Sequence, residues 1–136
     1  MSQYYELNGK TVWNPSMGAS GLFLRQVEVF EEVLGLPSGI LPMENDETDI
    51  DPAAFDAFLH ALLTRYRATA HDIIRTLSEG FTATALALAL KAGLDVRWAE
   101  TAPTPVPAWP ALAPPHFGSV DELLRHAQDL TRKMPS

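Results

Sequence analysis

The sequence predicts a mainly helical α+β fold: a bundle of about four helices carrying a small antiparallel β-hairpin or sheet of two to three short strands. Three observations predict it. Phe55, Phe58, Leu59, Leu62, Leu63 and Tyr66 recur at the spacing of one helical face. An aromatic and β-branched run, Tyr4-Tyr5-Glu6-Leu7 and Lys10-Thr11-Val12-Trp13, flanks Asn8-Gly9, a dipeptide suited to the positive φ angles of a tight hairpin. Six prolines fall between residues 101 and 115, which rules out regular helix or central strand there.

At 136 residues the chain reads as one domain, with an N-terminal hairpin at 1–13 and a helical core at 14–93. A strand with a Pro-rich strap at 94–118 and a C-terminal helix at 119–134 complete it. After the hairpin, Asn14-Pro15 resembles a helix cap followed by proline at the first helical position, and Ser20 is a competing cap. Phe23, Val27, Phe30 and Leu34 then form one stripe, and Gly35 ends the helix. Asp51-Pro52 is a second helix start. The helical phase runs on through residues 52–92, but a single helix of that length would be about 60 Å long. A compact domain of this size is only about 37 Å across. A break is therefore expected at 67–71, where Thr69 with Asp72 resembles a capping pair. Residues 81–90 are apolar nearly all round and should form the central helix. Leu94-Asp95-Val96-Arg97-Trp98 alternates and could add a third strand to the hairpin. Ser119-Val120-Asp121-Glu122 is a capping box for a last amphipathic helix.

The net charge of −7 is unevenly spread. Residues 26–64 hold nine acids and no Lys or Arg, while the rest of the chain has ten bases against eight acids. An acidic field repels phosphate backbones and anionic membranes, so neither nucleic acid nor a membrane is the expected partner. It attracts a basic protein. There is no cysteine, which excludes disulfides and thiolate metal sites. The first residues have neither a basic nor an apolar signal region, and a cytoplasmic location is expected.

Glu44, Asn45, Asp46, Glu47 and Asp49 are the candidate binding residues: they are the part of the acidic block with no evident helical use. A calcium loop starting at Asn45 would need Gly at its sixth position and Glu at its twelfth. Ile50 and Asp56 stand there, so no metal is assigned. The histidines, His60, His71, His116 and His126, lack zinc-site spacing. Arg65, Arg67 and Arg75 gather near the helix break and are expected to pair internally, Arg75 with Glu79 or with the acidic segment. Trp13, Trp98 and Tyr66 are candidates to wall a pocket between strands and helices. No nucleophile motif or phosphate loop occurs, so no catalytic residue and no cofactor are assigned.

Trp13-Asn14-Pro15-Ser16, Gly35-Leu36-Pro37-Ser38-Gly39, Met43-Glu44-Asn45-Asp46-Glu47 and Ile50-Asp51-Pro52 with Phe55 and Phe58 resemble an uncharacterised family of short actinobacterial proteins. The resemblance covers most of residues 4–98 and implies no activity, cofactor or site. Seven Arg against three Lys fits a high-GC source. Two functions are expected from these features. One is a non-enzymatic interaction or accessory (immunity-type) factor with an acidic surface around 44–51, acting as monomer or homodimer. The other is a small-molecule binder or small enzyme, with an apolar pocket and a converging carboxylate such as Asp46 or Glu47.

Overall fold

The computed structural model describes residues 1–96 and 121–135. Within them the chain forms β1 (Tyr4–Leu7), β2 (Lys10–Trp13), α1 (Met17–Leu34), β3 (Glu47–Asp49), α2 (Pro52–Ala68), α3 (Asp72–Lys91) and α4 (Asp121–Lys133). This is a mainly helical α+β fold, four helices with a three-stranded sheet of order β2-β1-β3 among the described residues.

The hairpin forms where Asn8-Gly9 lies, and both residues take positive φ, 52° and 79°. Beyond it, the sheet departs from expectation. It is mixed: β1 runs antiparallel to β2 and parallel to β3. The third strand is Glu47–Asp49, and residues 94–96 are not a strand. The cause lies at the end of α3, where Gly93 is left-handed and the Leu94 amide donates back to the Ala89 carbonyl at 3.0 Å. That bond turns residue 94 onto the helix it has just left. Arg97 and Trp98, the end of that expected strand, lie outside the described residues, as do the strap and the capping box residues Ser119 and Val120.

Each helix has a chemical start or stop. Ser16 caps α1, accepting from the Ala19 amide at 3.2 Å, and Gly35 ends it at φ 67°. Neither Asn14 nor Ser20 is the cap. The Asn14 amide donates to the Pro135 carbonyl and the Pro15 carbonyl accepts from Gln3, so both residues extend the strand layer. Ser20 lies inside α1, fully buried, with its hydroxyl 2.9 Å from that of Tyr5. Asp51 caps α2 ahead of Pro52. The break falls at residues 69–71. Its cap is His71, whose ring accepts from the Ile74 amide, while Thr69 accepts from the His71 amide. These two bonds stand in place of the expected Thr69–Asp72 pairing.

The core is built on the C-terminal half of α3. Phe81, Ala83, Ala85, Leu86, Leu88 and Ala89 are all buried, between α2, α4 and β2. Phe81 stacks on Phe30 at 4.5 Å and on Phe23 at 5.6 Å, which ties α1 to α3. Such aromatic pairs contribute about 0.5–1.5 kcal/mol beyond the area they bury. Among the described helices α3 is the one long and apolar enough to cross a bilayer, yet here it is the bundle's core helix.

Candidate functional site

The acidic segment is not a loose loop. Asn45 and Asp46 both have positive φ, 50° and 63°, and the Glu44 and Glu47 amides and carbonyls exchange bonds of 2.8 and 2.9 Å. This is a two-residue hairpin turn of the mirror type, which Asn and Asp tolerate better than other side chains do. Its arms run on through bonds from the Leu41 amide to the Asp49 carbonyl and from the Asp51 amide to the Gly39 carbonyl. The Thr48 hydroxyl, pointing inward, donates to the Leu41 carbonyl.

Gly39 sets the base of this hairpin. Its φ is +81°, and a Cβ there would sit 2.6 Å from the Phe55 amide nitrogen and 2.7 Å from the Asp51 carbonyl oxygen. No other residue lets the arm lie this close to the start of α2. Ser38 beside it is fully buried; its amide donates to the Glu31 carboxylate at 2.8 Å, and its hydroxyl accepts from Ile40. Glu31 is thus spent on the fold, as Asp51 is on its cap, and Asp56 lies 3.6 Å from His60.

The other arm docks on β1. Tyr4 pairs with Glu47, Tyr5 with Thr48 and Glu6 with Asp49, and the Tyr4 amide donates to the Asp46 carbonyl. Paired residues share a face. Tyr5 and Thr48 point into the core, so Glu6, Glu47 and Asp49 stand together on the outer face. Glu44 lies exposed at the turn, and Asp46 is half-buried, accepting from the Gln3 side chain at 3.3 Å. Glu6 was not among the sequence candidates. The alternation of Tyr4-Tyr5-Glu6-Leu7 turns it outward, but nothing local says that residue 49 will be its neighbour. A shallow recess of about 370 Å³ opens here, lined by Leu41, Glu44, Asn45, Glu47 and Asp49 among others.

Of the pocket candidates, the described pair Trp13 and Tyr66 sit in different places. Trp13 is 6% exposed, perpendicular to Phe23 at 5.3 Å and tilted on Tyr5 at 4.9 Å. One edge of it lines an apolar groove of about 320 Å³ with Ala19, Thr84, Leu130 and Met134. Tyr66 is buried at the α2–α3 corner beneath the Arg75 guanidinium, 4.7 Å from its ring centre. Trp98 lies outside the described residues. Asp46 and Glu47 belong to the hairpin and not to the groove that Trp13 lines. Arg65 is exposed, and burial pushes the half-buried Arg67 guanidinium below its ordinary pKa. Among the described residues no three His, Asp or Glu gather as a metal-holding group.

Fold and surface define the class: a small mainly helical α+β protein with a carboxylate-bearing sheet face. The chain belongs to DUF6086, a family of unknown function, whose family model matches residues 1–136. The family likeness thus takes in the Pro-rich stretch and the last helix as well as residues 4–98. No curated protein and no solved structure matches the chain.

Proposed function

We propose that this protein is a non-enzymatic interaction or accessory factor, of the immunity type, which presents its acidic sheet face to a basic protein partner in the cytoplasm. The observation that carries the reading is the register of β1 with β3, which puts Glu6, Glu47 and Asp49 on one outward face beside Glu44. A rigid cluster of like charges steers an oppositely charged partner and loses strength as salt screens it. The same field disfavours nucleic acid and anionic membranes. The Arg-over-Lys composition supports an actinobacterial source.

The test replaces Glu44→Gln, Asp46→Asn, Glu47→Gln and Asp49→Asn together. Asn still tolerates the positive φ at position 46 and still offers an acceptor to Gln3, so the hairpin should hold while its charge goes. Pull-downs from a lysate at low and moderate salt are compared. The captured basic protein should bind at least about tenfold more weakly to the amide variant and should be lost as salt rises. Capture unaltered by the four changes removes the reading.

A further inference from the structure

We propose that the exposed face formed by α1 and the N-terminal half of α3 is a self-association surface, on which two copies of this chain pack about a two-fold axis. α1 carries two apolar stripes, not one. Phe23, Val27, Phe30 and Leu34 turn inward, but Leu22, Val29 and Val33 form an adjacent stripe that is 62, 54 and 44% exposed. Across from it, Ile73 and Leu77 of α3 are 64 and 75% exposed. Leu22 and Gln26 of α1 and Thr76, Leu77 and Gly80 of α3 line one surface between the two helices. Between them lies an apolar groove of about 490 Å³.

Area argues for a protein-sized occupant. Those five side chains leave on the order of 500–600 Å² in water, at the top of the range for the largest apolar patch of a monomer, about 300–600 Å². With the flanking Gln26, Thr76 and Gly80, the face approaches the roughly 800 Å² that each partner buries in a stable interface.

Shape argues for a second copy. A two-fold interface needs one patch that is both knob and hole. Leu77 projects, and one turn on, Gly80 leaves open helix surface, where an added Cβ would meet no atom within 4 Å. Leu22 likewise projects beside the bare Gly21. The same two helices carry the exposed acids Glu28, Glu32 and Asp72, and each copy carries −7, so two copies repel at low salt. Association should therefore strengthen as salt rises, the reverse of the acidic sheet face.

Sedimentation velocity on the full chain over a wide concentration range, at low and at 0.5 M salt (about 3–5 Å of screening length), reads the outcome. The mass is expected to climb from 14.9 kDa toward twice that value. Leu22→Glu and Leu77→Glu, both at exposed positions and so compatible with folding, should each weaken association by at least about thirtyfold. Unchanged circular dichroism certifies the fold of each variant. Glu47→Gln, on β3 and outside the groove lining, should leave the dimer intact. A chain that stays at 14.9 kDa at every concentration overturns the proposal. So does a dimer that survives both glutamates. So does a monomeric Leu77→Cys variant that resists maleimide, since that face would then be covered by residues of the same chain.

Discussion

Tyr5 has no exposed surface, and its hydroxyl meets Ser20 at 2.9 Å inside the core. Burial disfavours the phenolate and pushes the hydroxyl up to about 12, although the Ser20 hydrogen bond pulls the other way. A raised pKa means that the folded chain keeps this proton longer than the unfolded one. The stability is complete below pH 10 and falls as pH rises from 10 toward 12, by about 2–3 kcal/mol in all. Alkaline urea titrations of wild type and Tyr5→Phe should separate in that window, the variant losing less than the wild type. Gly39 is the second residue on which much depends. Its Cβ would meet backbone on both sides, at 2.6 and 2.7 Å, where no side chain can swing away. Gly39→Ala should cost about 3 kcal/mol or more, read as a lower urea midpoint with an unchanged slope.

At the scale of elements, ends matter as much as faces. Asp51 Oδ1 accepts from the Ala53 and Ala54 amides at 3.1 and 3.4 Å. Asp51→Ala should cost about 1 kcal/mol, a fall of about 3–5 °C in Tm by calorimetry, and Asp51→Ser should recover most of it. Such ends were legible in the sequence, because Asp51-Pro52, Gly35 and Asn8-Gly9 act through bonds to their near neighbours. The buried stripe of α1, the break near Thr69 and the core role of residues 81–90 were legible for the same reason. The third strand was not. Residues 47–49 hold three polar side chains, and they become a strand because Asn45-Asp46 turns the chain and β1 offers a free edge forty residues away. The alternating 94–98 stretch looked better locally, but the α3 terminus claims its first residue. The acidic candidates were found in sequence and Glu6 was not, since its membership depends on that same distant register.

At the scale of the described molecule, two surface features fall on different elements: the carboxylates Glu6, Glu47 and Asp49 on the sheet, and the exposed aliphatic stripe on α1 and α3. One opposing salt response is expected of each, so the two surfaces can be told apart by ionic strength alone. The parallel pairing of β1 with β3 has one more consequence, in time. A two-stranded ribbon is marginal by itself, so the N-terminal hairpin waits for residues 47–49. During synthesis from the N-terminus, α1 must be made and the acidic hairpin turned before the sheet can close. Ring closure over some forty residues costs entropy before any contact repays it. The acidic face therefore comes into being as a unit: its carboxylates are separated along the chain until the strand that carries Glu47 and Asp49 docks beside Glu6.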